Sequence, residues 1–133
     1  MNPLKFLSIL LISTVATHAS LAIKVGEPKT LGSKSAIKLT MKNSFAEKID
    51  SARATVFLLN DSGKVVGQAT HWVIGGSQDK PGLAAGATGT FHFIIANTTP
   101  FTTTNLTAKV SFTQVVTEGG RLADVRKEVT YEK

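Results

Sequence analysis

The chain has 133 residues, which is enough for one ordinary domain and too few for two. It carries a formal charge of +6 and no cysteine. The missing cysteine excludes a disulfide-built extracellular module and a lipoprotein anchored through a cysteine, and it suits a bacterial exported domain.

The first residues read as an export signal. Lys5 precedes an apolar run over residues 6–16, and the small residues around Ala19 and Ala22 follow. That order is a charged n-region, an h-region and a cleavage site. It predicts a signal peptide over residues 1–22, cut after Ala19 or Ala22, and a folded domain over 23–133. The run is shorter than the ~20 apolar residues needed to span a bilayer. A secreted or periplasmic protein without stable membrane insertion is therefore expected.

Beyond the signal, strand alternation replaces helical periodicity. Residues 22–26 predict a first strand, ended by Pro28. Residues 37–42 alternate strictly, with Ile37, Leu39 and Met41 on the inner face. The surrounding segment holds Lys24, Lys29, Lys34, Lys38, Lys42 and Lys48 against only Glu27 and Glu47. These lysines read as a solvated strand face with charged edges that discourage aggregation. The sharper reading is a basic surface for an acidic polymer, a membrane or nucleic acid. The absence of interleaved aromatics and the export signal argue against nucleic acid.

Residues 52–59 and 64–74 are richer in apolar side chains and predict central strands. Asn60, Asp61, Ser62 and Gly63 between them form a hairpin signal, with Asp61 bonding the backbone ahead and Gly63 at positive φ. A turn centred on Ser62 sets Leu58 opposite Val66 and Ala52 opposite Trp72, which places the indole in the core. Phe57 and Leu59 then point outward and meet Val65 and Val73 on the partner strand, forming a candidate interaction face. The loop over 75–89 has room for a short edge strand. Residues 90–95 form the next strand, and a threonine-rich loop over 96–105 follows. Phe101, after Pro100, either plugs the end of the fold or rims a ligand site.

Residues 106–113 show the clearest alternation, with Leu106, Ala108, Val110 and Phe112 inward. Val115 and Val116 then lead through Glu118, Gly119, Gly120 and Arg121 into a last strand over 125–131. About seven short strands in this length predict an all-β fold, an immunoglobulin-like antiparallel β-sandwich, with a small barrel as the alternative.

Nothing in the sequence assembles a catalytic centre. Nucleophilic catalysis needs a nucleophile beside an oriented base, and the domain offers only His71 and His92, neither near a nucleophile elbow. Its acids are few: Asp50, Asp61, Asp79 and Glu118 fall in turns, without the spacing of a metal loop. No catalytic residue, metal site or cofactor is expected. Asn60, Asn97 and Asn105 head glycosylation sequons that matter only in a eukaryotic secretory route.

The hairpin carries a resemblance. Phe57-Leu58-Leu59-Asn60-Asp61 and the return Gly63-Lys64-Val65-Val66-Gly67 resemble the FxLYD-type immunoglobulin-like domains of exported bacterial proteins. Asn60 stands where that family has tyrosine. Lys42-Asn43 resembles the family's strand ending in asparagine, and Leu83-Ala84-Ala85-Gly86 its Leu-x-Pro-Gly turn, with Ala85 for proline. The resemblance implies a non-enzymatic, extracytoplasmic domain and transfers no catalytic residue. The expected function is thus a structural or protein-interaction domain, whose partner binds an exposed sheet face or edge. The alternative is a carbohydrate or small-ligand module built on Trp72, Phe101 and His71.

Overall fold

A computed structural model describes residues 19–76 and 80–132. The expected signal peptide lies outside the described residues up to position 18, as do residues 77–79 of the long loop. The described chain runs β1 (Leu21–Val25), β2 (Lys29–Leu31), β3 (Lys34–Asn43), β4 (Ile49–Leu59), β5 (Val65–Ile74), β6 (Thr88–Ala96), β7 (Thr107–Thr117), β8 (Arg121–Leu122) and β9 (Val129–Glu132). These strands make two sheets packed face to face, the β-sandwich that the alternation predicts. The two strands beyond the expected seven are the short β2 and β8.

In the first sheet β3 is central. β6 pairs along its length from Lys34↔Ala96 to Lys42↔Thr88. β1 and β2 therefore share its other edge, β1 opposite residues 39–43 and β2 opposite 34–36. Pro28, with no N–H to donate, lies where that edge partner is broken in two. β9 lies parallel to β1, Leu21 beside Val129 and Ile23 beside Tyr131. The second sheet is antiparallel, in the order β5-β4-β7-β8.

Alternation sets the core. Ile37, Leu39 and Met41 of β3 face Ala52, Ala54, Val56 and Leu58 of β4, and all are fully buried. Each large aliphatic side chain so enclosed contributes about 1.5–3 kcal/mol. One polar residue joins them. Asn43 is fully buried, and its Nδ2 donates to the carbonyls of Glu47 (2.9 Å) and Leu83 (3.0 Å). Its Oδ1 accepts the Phe45 N–H at 2.9 Å. One amide thus satisfies backbone within the β3–β4 connection and ties that connection to the β5–β6 loop.

Three expectations about local structure are corrected. Trp72 is not in the core. β4 and β5 slip register between Ala52 and Arg53 and again between Leu58 and Leu59. Ile74 therefore stands opposite Ala52 and is fully buried, while Trp72 stands opposite Arg53 on the outer face. A bulge of one residue inverts every side chain beyond it.

The second correction concerns the hairpin turn, which Asn60 holds in place of Asp61. Asn60 Oδ1 accepts the N–H of Ser62 and of Lys64, both at 3.0 Å. Asp61 instead accepts from Asn105 Nδ2 at 2.7 Å, tying the turn to the threonine-rich loop. Gly63 has the expected positive φ of 80°.

The third concerns the C-terminal strands. β8 pairs with β7 over two residues only, and the chain then crosses to the other sheet as β9. Asp124 makes that crossing. Its carboxylate accepts the Arg126 N–H and its carbonyl accepts from Lys127 and Glu128, curling residues 124–128 out of the extended state. In the long loop, the edge strand for which there was room is reduced to a single bridge, Ile49↔Leu83.

Candidate interaction surfaces

A sandwich of two open sheets has two seams where edge strands of opposite sheets approach. Their unpaired backbone groups must be covered or left to water. The β5/β6 seam is covered by side chains. His71 Nε2 donates to the Ile94 carbonyl at 3.0 Å, with the imidazole tilted against Phe93 at 4.8 Å between centroids. Asn97 Nδ2 donates to the Val66 carbonyl at 3.0 Å, and Lys80 Nζ to the Trp72 carbonyl at 2.8 Å.

The opposite seam, between β7 and β9, is closed at one end. Tyr131 of β9 reaches across, and its hydroxyl accepts the Phe112 N–H at 2.8 Å. Beyond that bond the seam opens into a cleft of about 610 Å³. Its walls are Val25, Gly26 and Pro28 on one side and Ala108 and Val110 on the other. The main-chain groups of Phe112 face this side of β7, so those of Val110 and Ala108, at the same phase, face it too. Among the described residues no strand or side chain bonds them there. Glu27 and Glu132 stand at the rim against the single cation Lys109, which leaves it one negative charge in excess.

Phe57, Leu59, Val65 and Val73, expected to form an interaction face, and Phe101, the candidate rim residue, are only partly brought together. Phe57, Leu59 and Val65 share the outer face of the second sheet, with Leu59 directly opposite Val65, which is 45% exposed. Gln68 and Lys109 flank Phe57 on either side, so the apolar stretch is narrow. Val73 departs from the expectation, because the register slip turns it against the core. Phe101 also packs on the core, with its ring over Gly67. Of its two expected roles it takes that of a plug. Trp72, named with His71 and Phe101 in the alternative ligand module, lies on the outer face of the second sheet. The indole is half-buried, with Arg53 Cζ 5.9 Å from its centroid and Gly76 against its base. Among the described residues no three of His, Asp and Glu gather as metal ligands would.

The β7 edge and Tyr131 were not singled out in the sequence. Alternation over residues 106–113 tells which side chains face inward, but the main-chain edge left open depends on strand order, which alternation does not carry.

No protein-family model matches the chain, and no curated protein matches it in sequence. Among solved structures it is similar to a Bordetella pertussis protein provisionally named ApaA, with a TM-score of 0.56 and 16% identity, over 82% of this chain and 89% of that one. It is also similar to IrmA from Escherichia coli, with a TM-score of 0.52 and 13% identity, over 87% of this chain and 93% of that one. At these identities the likeness is one of fold.

Proposed function

We propose that the chain is an exported, non-enzymatic interaction domain that holds an extended segment of a partner protein by strand addition at the open edge of β7. The reading rests on one observation: the free main-chain groups of Ala108 and Val110 line a cleft large enough to take a segment. Strand addition draws affinity from main-chain hydrogen bonds and specificity from pockets for alternate side chains. The β5 edge is less suited, because Asn97 and Lys80 already occupy it on both sides of its free stretch. Glu27 and Glu132 favour a basic residue in the captured segment.

The test is selection of a displayed random-peptide library on the folded domain, followed by calorimetry with selected peptides. Val110→Pro removes a donor from the open edge and leaves the ladder to β4 intact, since the Val110 N–H faces away from β4. Peptides that bind the parent and not Val110→Pro support the reading. Peptides lost instead with Phe57→Ser move the site to the outer face. A library that yields no binder removes the proposal.

A further inference from the structure

The outer face of the first sheet carries a second surface, independent of the β7 cleft. Side chains of β3 that point outward are Lys34, Ala36, Lys38, Thr40 and Lys42, since the residues between them are buried. Lys24 of β1 stands opposite Thr40, and Lys29 of β2 opposite Ala36. All five lysines are exposed. Strand geometry puts Lys34, Lys38 and Lys42 at ~13 Å intervals, with Lys24 and Lys29 staggered midway on a strand ~4.8 Å away. The result is a zigzag of ammonium groups with stems rooted ~8 Å apart, running ~26 Å along β3 and the edge it shares with β1 and β2. His92 of β6 lies directly beside Lys38.

This track does not fit the role of edge protection. Lysines that guard against aggregation belong on edge strands. Lys34, Lys38 and Lys42 lie on β3, which is paired on both sides. Lysine is also a poor strand former, and five neighbours of like charge repel one another. Among the described residues no ion pair offsets them: the cations that pair there are Lys48 and Arg121 only. Glu132, across from Lys24 on β9, is the one described acid on this face.

We infer that this face binds a linear anionic glycan, a polysaccharide bearing carboxylate, sulfate or phosphate groups, laid along β3. The shape of the track selects a chain over a surface, because the charge is confined to β3 and the two strands that share one of its edges. The flanks select a glycan. Thr88 and Thr90 on β6 and Thr130 on β9 border the lysines with exposed hydroxyls that pair with sugar hydroxyls. Nucleic acid is disfavoured because, among the described residues, no Phe, Tyr or Trp on this face offers bases a stacking platform. A membrane is disfavoured because the apolar exposure lies at one end only, at Leu31 and Ile94.

The experiment uses the protein purified as it accumulates, and isothermal calorimetry at 50 mM and 200 mM salt. The probes are heparin and polygalacturonate, with neutral dextran, phosphatidylglycerol vesicles and a single-stranded oligonucleotide in parallel. Two triple variants lose equal charge: Lys24→Gln/Lys38→Gln/Lys42→Gln on the face, and Lys64→Gln/Lys109→Gln/Lys127→Gln elsewhere. The expected result is salt-sensitive binding of both anionic glycans, weakened about ten-fold or more by the face variant and less than about three-fold by the control. All six lysines are exposed, so both variants fold, and Lys38→Glu alone gives a second reading on the face. Equal losses in the two triples reduce the effect to net charge and overturn the inference. No binding of either glycan overturns it as well. Tighter binding of the vesicles or the oligonucleotide assigns the face to a membrane or to nucleic acid instead.

Discussion

His71 and Ile94 belong to different sheets, and a 3.0 Å hydrogen bond from the imidazole Nε2 to the Ile94 carbonyl joins them. A carbonyl only accepts, so Nε2 carries the proton at this contact. The bond and the Phe93 contact together close a seam that backbone pairing leaves open. His71→Ala is expected to lower stability by about 1–2 kcal/mol. Urea denaturation measures this, and an unchanged midpoint rejects the role.

Trp72 is the only tryptophan of the chain, so intrinsic fluorescence reports on it alone. Its place beside Arg53 on the outer face predicts quenching by iodide well above quenching by caesium, because the guanidinium attracts the anion. Ile74→Ala should cost about 2–5 kcal/mol and Trp72→Ala clearly less. The reverse ranking would return the indole to the core.

Asn43→Ala leaves the Phe45 N–H and the Glu47 carbonyl without their partner and takes from the Leu83 carbonyl one of its two donors, the Ile49 N–H being the other. A loss of about 2–4 kcal/mol is expected, large for a domain of this size. Asn43→Asp should do no better, since a carboxylate cannot donate to the two carbonyls. Chemical denaturation of both variants is the check, and near-native stability of Asn43→Asp would sink the account.

Tyr131→Phe removes the acceptor of the Phe112 N–H and nothing else. Hydrogen exchange at Phe112 should accelerate about ten-fold, with a global cost near 1 kcal/mol. If β7 is held by packing alone, the exchange rate will not move.

Gly75 has a φ of +71°, and a Cβ there would lie 2.6 Å from the Asp50 carbonyl oxygen. Gly75→Ala therefore combines backbone strain with a clash against main chain that has no room to yield. A cost of at least about 2 kcal/mol is expected by thermal denaturation. A neutral substitution would show that the loop takes another path.

Much of the sandwich was legible because alternation is a local signal. Ile37, Leu39 and Met41, and Leu106 with Phe112, all face inward as their phase predicts. What escaped was non-local. The slip between Leu58 and Leu59 depends on how two strands settle against each other, and it moved Trp72 and Val73 to the faces opposite to those expected. The crossing at Asp124 was hidden because Val125, Val129 and Tyr131 share one phase, although only the last two lie in a strand. The lysines were visible one by one in the sequence. That they form one track required knowing that β1 and β2 lie on the same side of β3.

The parallel pairing of β1 with β9 has a kinetic consequence. Leu21 and Val129 are roughly a hundred residues apart in sequence, and closing so long a loop is slow and entropically costly. As a chain emerges from the ribosome, β1 is the first and β9 the last of the nine strands among the described residues. Until then one edge of β1 has no partner, and the nascent domain waits incomplete with a strand edge open to whatever it meets. A chaperone that binds open strand edges would find that edge the most persistent target during biogenesis.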